Sequence, residues 1–207
     1  MSITFYYAPA TSATRVHWAL EELGVPYEKV RLDLAKGEQK SPEFLKINPN
    51  GKVAALVDDG TPMFESLAII IHLGEKYGVA KGLWPAPGSA QSAEALTWAV
   101  WGTVTVGAAG IALMANTSER VPAEARNEVQ AKQAREGLER CLSILEARLE
   151  GREWILGDAF TLVDVATASS VAFFARMAGL GKEGFPRTSA WTARATQRPA
   201  MAVAYAG

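Results

Sequence analysis

The residues that could do chemistry collect at two candidate helix starts. Phe64-Glu65-Ser66-Leu67 leads into an apolar run, and the free N–H groups and positive dipole end of a helix opening there can hold a carboxylate. The Glu65 side chain beside them can accept from an ammonium, so a group carrying both charges is gripped twice. The same residues also suit an ordinary N-cap with an acidic neighbour. The second place is Tyr7-Ala8-Pro9-Ala10-Thr11-Ser12-Ala13-Thr14-Arg15, where the hydroxyls of Tyr7, Thr11 and Ser12 compete for such a role. A hydroxyl at a helix N-terminus can donate to a negatively charged atom, aided by the helix field. The competing roles are capping for Thr11 and Ser12, and a strand side chain packed in the core for Tyr7.

Other chemistries lack their residues. The chain has one cysteine, Cys141, and two histidines, His17 and His72, too few for an internal disulfide or a zinc site. No metal is expected. Cys141 falls on an apolar helical stripe and reads as inert packing, and neither histidine has a nucleophile paired with it in sequence. Lys and Arg number 21 against 22 Asp and Glu, a net charge of −1. No surplus positive charge is left to neutralise nucleic acid or an anionic bilayer. The start, Met1 to Tyr7, lacks a basic region and does not read as a secretory signal; with unpaired cysteine usage, a reducing, cytoplasmic setting is expected.

Two patterns of elements position these residues. Up to residue 79, short β-branched or aromatic runs alternate with helical stretches: a strand over Ile3–Tyr7, a helix over Ala13–Leu23 closed by Gly24, and a strand over Tyr27–Leu34. A short helix follows, with Ser41 as N-cap and Pro42 at its first position. Strands over 53–57 and 62–64 flank the turn Asp58-Asp59-Gly60 as a hairpin, and a helix runs from Ser66 to Tyr77, closed by Gly78. This βαβαββα order is that of a thioredoxin-like domain. Residues 80–89, rich in Pro and Gly, read as a linker, and 90–207 as an all-helical C-terminal domain, giving a fold of α/β plus all-α class. From Ala95 to Ser118 there are 24 residues without a charge, long enough to cross a bilayer. Gly102, Gly107, Gly110 and four threonines, with acidic flanks at Glu94 and Glu119, favour instead a helix buried all round in a bundle. Thr161-Leu162-Val163-Asp164 reads as a capping box whose task is folding.

Three motifs together carry a resemblance. Asn48-Pro49-Asn50-Gly51-Lys52-Val53-Ala54-Ala55-Leu56, then Phe64-Glu65-Ser66-Leu67-Ala68-Ile69, then Gly157-Asp158-Ala159-Phe160-Thr161-Leu162-Val163-Asp164 resemble a cytosolic glutathione S-transferase of bacterial type, over nearly the whole chain. The resemblance implies that Glu65 and Ser66 hold the γ-glutamyl group of glutathione. It implies that Gln39, Lys40 and Lys52 lie near the glycyl carboxylate, for which a lysine is a flexible point charge; solvated loop lysines are the alternative. Val53 and Ala54 are implied to meet the cysteinyl residue with their backbone, in the manner of an added strand. Members usually carry a cis-proline where this chain has Ala54. A cis bond before alanine costs about 2.5 to 4 kcal/mol, so cis and trans both remain open.

Such an enzyme holds a thiolate, the nucleophilic form. Lowering a free thiol from about 8.5 by two units takes roughly 2.7 kcal/mol, within reach of one or two donors. Tyr7 resembles the tyrosine of tyrosine-type members, Thr11 the serine of plant-type members, and Ser12 stands where bacterial cysteine-type members carry cysteine. The catalytic group is expected to be a Ser or Thr hydroxyl, Ser12 or Thr11 ahead of Tyr7, acting as a donor rather than a base. The absent cysteine argues against members that form a mixed disulfide with the protein, and the missing Ser-Ser-Cys run against an isomerase. Trp98, Trp101, Met114 and Tyr205 are candidates for the electrophile site, their alternative being core. The expected activity is conjugation of glutathione, as co-substrate, to a small apolar electrophile in detoxification; the alternative is a non-catalytic binding or protein-interaction module on the same fold. The resemblance also implies a two-fold homodimer.

Overall fold

The computed structural model describes residues 2–206, in two compact units that comprise residues 1–92 with 197–207, and residues 93–196. In the first unit, Phe5 and its alternate neighbours Ile3 and Tyr7 turn inward along β1 (Ile3–Tyr7), the period-2 pattern of a half-buried strand. Helix α1 (Ala13–Leu23) follows and buries Val16, Trp18, Ala19, Leu20 and Leu23. Gly24, at φ 57°, supplies the left-handed residue that ends it. Strand β2 (Glu28–Arg31) pairs parallel with β1, so the β1–α1–β2 crossover is as predicted. The strand is shorter than the expected 27–34, because Asp33 turns its carboxylate back onto the N–H groups of Ala35 and Lys36 and bends the chain out of the ladder.

Ser41 caps the four-residue α2 (Pro42–Leu45) by accepting from the Phe44 N–H at 3.3 Å. Strands β3 (Ala55–Asp58) and β4 (Thr61–Phe64) form the expected hairpin, and the sheet order is β2-β1-β3-β4. Asp59 and Gly60 at its turn both have positive φ, 48° and 83°, the pairing that suits a two-residue hairpin. Helix α3 (Ser66–Leu73) packs Ile69, Ile70 and Leu73 into the core. It does not stop at Gly78 as the sequence suggests. A π turn over Gly74–Gly78 and a 3-10 turn over Val79–Lys81 carry it to Gly82, whose φ of 69° ends the run. Gly74 is needed for the close approach of Trp84, since a Cβ there would lie 2.6 Å from the indole.

The hairpin and α3 are pinned at one end by Asp58, whose side chain is almost fully buried. Its Oδ2 binds His72 Nε2 at 2.6 Å and Lys76 Nζ at 2.8 Å, and its Oδ1 accepts from the Tyr77 hydroxyl at 2.8 Å. Burial works to raise the Asp58 carboxyl, but these three partners outweigh it and hold it below the ordinary range. The last helix, α9 (Pro199–Ala206), packs on α1, with Arg198 forming a bidentate pair to Glu22 at 2.6 and 2.7 Å. That pairing places residues 197–207 in the first unit.

In the second unit α4 (Ala90–Val100) continues through a π turn over Trp101–Thr105 into α5 (Val106–Thr117). The expectation that this uncharged stretch is buried all round does not hold. Only 33% of its most apolar window is buried, and Leu96, Val100, Val104 and Ile111 are exposed; the apolar stripe wraps further round the helix than its neighbours cover. The segment is 28 residues and, by length and composition alone, apolar enough to cross a membrane. Its buried side is drawn close by glycine: a Cβ on Gly110 would fall 2.1 Å from the Phe174 ring, and one on Gly102 2.3 Å from Thr167 Oγ1. Helix α6 (Glu128–Arg148) turns in the stripe Leu138, Cys141, Leu142 and Leu145. Helix α7 (Leu162–Met177) is the most buried of the unit, and α8 (Pro186–Thr196) packs beside it through Trp191.

Candidate functional site

Strand register brings most of the candidate residues to one end of the sheet. Tyr6 pairs with Ala55 and Ala55 with Phe64, so the loop beyond Tyr7, the Val53-Ala54 peptide ahead of β3, and Glu65 after β4 are neighbours. Tyr7 also pairs with Arg31, and the Leu32 N–H donates to the Tyr7 carbonyl at 2.8 Å. The chain at 48–52 is locked by Asn48, which donates to the Lys52 carbonyl at 2.6 Å and accepts from the Asn50 N–H at 3.0 Å. The bond between Val53 and Ala54 is cis.

Glu65 has φ 68° and ψ 112°, a left-handed-region backbone that a glutamate adopts only at a cost of about 1 to 3 kcal/mol. It starts α3 without a side-chain cap. Its carbonyl takes the Ile69 N–H at 3.0 Å, while the first-turn N–H groups of Ser66, Leu67 and Ala68 have no partner within the helix. The carboxylate of Glu65 is exposed beside them. The arrangement offers converging donors for an anion and one acceptor for a cation.

The three hydroxyls are placed differently. Thr11 Oγ1 donates its proton to the Ala8 carbonyl at 2.8 Å and accepts from the Ala13 N–H at 3.2 Å; it is the group that caps α1. Ser12 sits at the helix entrance in helical conformation, exposed, with no side-chain cap bond. Tyr7 is buried, stacked on Phe5 at 5.5 Å and near His17 at 6.0 Å, with Lys29 5.7 Å from its ring centre. The sequence could not separate Thr11 from Ser12, since either hydroxyl can cap. Two further features of this loop were not foreseen. Ala10 has φ 56°, so the loop is held in a bent backbone that alanine rarely adopts. Arg15, three residues beyond Ser12, has its guanidinium pushed down by burial to about 10, which leaves it cationic at neutral pH.

Gln39 and Lys40 meet the 50–52 loop. Lys40 Nζ donates to the Asn50 carbonyl at 3.1 Å, and Gly51, at φ 57°, has no room for a Cβ, which would lie 2.7 Å from that nitrogen. Gln39 turns its amide nitrogen toward the Leu34 carbonyl at 3.4 Å, leaving Oε1 buried without a hydrogen-bond partner among the described residues. Lys52 is exposed. A groove of about 550 Å³ opens beside the loop, lined by Ala8, Pro9, Arg31, Leu32, Asp33, Leu34 and Glu38.

The remaining candidates lie elsewhere. In the second unit Trp98 and Trp101 meet edge to face at 5.2 Å, with Arg148 5.1 Å from the centre of the Trp98 ring; both, and Met114 in α5, are half-buried. Tyr205, on α9, is 70% exposed. Cys141 is buried and its thiol pushed up by that burial, as suits packing. His17 is buried among Phe5, Tyr7 and Tyr27, and burial lowers its pKa. Among the described residues no group of histidine, cysteine and carboxylate side chains is arranged to hold a metal.

The family model for the glutathione S-transferase N-terminal domain matches residues 1–75, and that for the C-terminal domain matches residues 108–199. The chain belongs to the glutathione S-transferase family. The disulfide-bond oxidoreductase YfcG of Escherichia coli is 31% identical over 96% of this chain and 92% of its own length. Glutathione S-transferase GstB of the same organism is 31% identical over 93% and 91%. Among solved structures, the glutathione transferase URE2P8 from Phanerochaete chrysosporium, with oxidized glutathione, superposes with a TM-score of 0.87 at 29% identity, covering 99% of this chain and 93% of that one. The thioredoxin-like N-terminal domain and helical C-terminal domain are those of this family.

Proposed function

We propose that the protein binds glutathione at the sheet end just described and activates its thiol for attack on a small apolar electrophile. In this reading the γ-glutamyl carboxylate takes the free N–H groups at the start of α3 with the Ser66 hydroxyl, and the ammonium meets Glu65. The Val53 backbone, ahead of the β3 ladder, pairs with the cysteinyl residue. Lys40 and Lys52 face the glycyl carboxylate, with Gln39 beside them. Ser12 donates to the sulfur. The observation that carries this choice is that Thr11 gives its proton to Ala8 while Ser12 is exposed at the helix entrance with no cap bond; Tyr7 is buried against Phe5. The field of α1 and the nearby Arg15 cation act in the same direction. The thiolate then forms a bond to the electrophilic carbon, and the leaving group departs with the electron pair of the bond it breaks. The electrophile enters beside Pro9 and Leu34, the exposed apolar side chains of the groove. Family membership supports cytoplasmic, homodimeric action in detoxification.

The name of the first relative supports a second reading, in which the same held thiolate attacks a disulfide. One sulfur–sulfur bond forms as another breaks, and the displaced thiolate takes up a proton, so the exchange balances without another reductant. Cys141, buried, takes no part.

An ultraviolet difference titration of the protein with glutathione tests the common core. A thiolate band at neutral pH, lost in Ser12→Ala and kept in Thr11→Ala and Tyr7→Phe, is expected. Binding by calorimetry with no band in the wild type would mean a non-catalytic binding module. Turnover with an aryl halide against turnover with a small organic disulfide separates the two reactions.

A further inference from the structure

Of the four asparagines in the chain, Asn50 alone is followed by glycine. That pairing is the one most open to spontaneous deamidation, because a glycine nitrogen with no Cβ beside it can approach the asparagine Cγ unhindered. Asn48 lacks this route, since Pro49 after it has no N–H to lose. The fold does not allow the glycine to be replaced. Gly51 is buried at φ 57°, and a Cβ on it would lie 2.7 Å from Lys40 Nζ and 2.8 Å from the Gln39 carbonyl oxygen. Lys40 also donates to the Asn50 carbonyl at 3.1 Å. A cation on that carbonyl favours the anionic form of the peptide and so eases loss of the Gly51 proton.

The contacts that oppose this reaction centre on Asn48, which is buried. Its carbonyl accepts the Gly51 N–H at 2.9 Å, closing a four-residue turn with Pro49 and Asn50 in the middle. Asn50 keeps a negative φ, so the turn is of type I, with ψ of its third residue near about 0°. That angle swings the Gly51 nitrogen away from the Asn50 side chain, whereas ring closure needs both on one side of the Cα–C bond. Asn48 Oδ1 accepts from the Asn50 N–H at 3.0 Å and from Asn50 Nδ2 at 3.1 Å, which ties down the amide that would be attacked. Asn48 Nδ2 donates to the Lys52 carbonyl at 2.6 Å, so the Asn48 amide cannot turn over without losing its partners on both sides.

We propose that Asn50 is a site of spontaneous deamidation whose rate is set by opening of the Asn48 turn, and that the modification keeps the turn from closing again. Once the turn opens, the Gly51 nitrogen bonds to Asn50 Cγ, the Cγ–Nδ2 bond breaks, and ammonia leaves with the proton that Gly51 gives up. Water then adds to one carbonyl of the cyclic imide and opens it to aspartate or isoaspartate. Neither product has an NH₂ group for Asn48 Oδ1. Aspartate sets a carboxylate against that accepting oxygen, and isoaspartate adds a methylene to the backbone. The site is independent of the glutathione reading, since every group in it belongs to the chain at 39–40 and 48–52.

Holding wild-type protein, Asn48→Ala and a synthetic peptide of residues 45–55 in the same mildly alkaline buffer, and counting aspartate and isoaspartate at position 50 by peptide mapping, tests this. Wild type is expected to convert at least about tenfold more slowly than the peptide, and Asn48→Ala severalfold faster than wild type. Should Asn48→Ala fail to fold, wild type in sub-denaturing urea takes its place, with conversion expected to rise in proportion to hydrogen exchange at the Gly51 amide. Asn50→Asp is expected to speed that exchange about tenfold. A wild type that converts as fast as the peptide overturns the proposal, as does a rate that neither Asn48→Ala nor urea changes. Unchanged exchange at Gly51 in Asn50→Asp overturns the claim that the modified turn stays open.

Discussion

Helices α3 and α7 both start with a hydroxyl or acidic side chain at the entrance, yet one start is open and the other is closed. At α7, Thr161 and Asp164 form the box that the sequence predicts: Asp164 Oδ2 accepts from the Thr161 N–H at 2.9 Å and from its hydroxyl at 3.2 Å. Its other oxygen accepts from the Ile155 N–H at 3.0 Å and from Trp191 Nε1 at 2.8 Å. The carboxyl is fully buried, and burial raises its pKa against the pull of those four donors. At α3 the opposite holds: Glu65 is exposed, strained at φ 68°, and caps nothing. The same dipole and the same orphan N–H groups are used to fold the chain in one place and are left uncapped in the other. What distinguishes them is whether a side chain of the protein already supplies the acceptor.

Breaking the closed start has the largest effect. Asp164→Ala leaves the Thr161 and Ile155 N–H groups and the Trp191 indole N–H without their acceptor, and is expected to cost about 3 to 5 kcal/mol of stability, read from denaturant midpoints. At the start of α3, and at Ser12 before α1, the loss is expected on function instead. Ser12→Ala is expected to lower kcat/KM by about 10- to 100-fold, the value of one hydrogen bond to a charged sulfur, with stability changed by less than about 0.5 kcal/mol. Glu65→Gly sharpens the comparison because its two effects have opposite signs. Relief of the left-handed backbone raises stability by up to about 1 kcal/mol, while loss of the carboxylate weakens glutathione binding about tenfold by calorimetry.

The smallest effect is one of pH. Asp58 is held below its unfolded value, so its contribution to stability is fully present above the unfolded carboxyl range near 3.9 and is lost as pH falls through the folded value. Asp58→Asn is expected to flatten the acid limb of a stability–pH curve below about pH 4 and leave glutathione affinity unchanged, because Asp58 pins the hairpin at the end away from the site.

The contrast also explains which parts were legible in the sequence. Local signals were readable where one residue type has one use: Gly24 as a helix stop, Ser41 with Pro42 as a helix start, Asp59-Gly60 as a hairpin turn, and Thr161 with Asp164 as a capping box. Glu65-Ser66 was readable as a helix start, and only the surrounding motifs singled it out as a candidate ligand site. Thr11 and Ser12 could not be told apart, because the Ala8 carbonyl that takes the Thr11 proton is placed by the bent backbone at Ala10. The end of α3 was misread since Gly78 sits in a π turn, held by the approach of Trp84 rather than by any local stop. The burial of α4 and α5 was overestimated because an uncharged run shows that no face rejects the core, not that every face is covered. The return of α9 to the first unit depends on Arg198 and Glu22, far apart in sequence, and no periodicity records such a pair.

The central claim, that the start of α3 is held open for glutathione while that of α7 is closed, is tested most directly by backbone amide chemical shifts during a glutathione titration. The account predicts saturable shifts at Ser66, Leu67 and Ala68 and none at Leu162, Val163 and Asp164. Saturated binding that leaves the three α3 amides unmoved would contradict it.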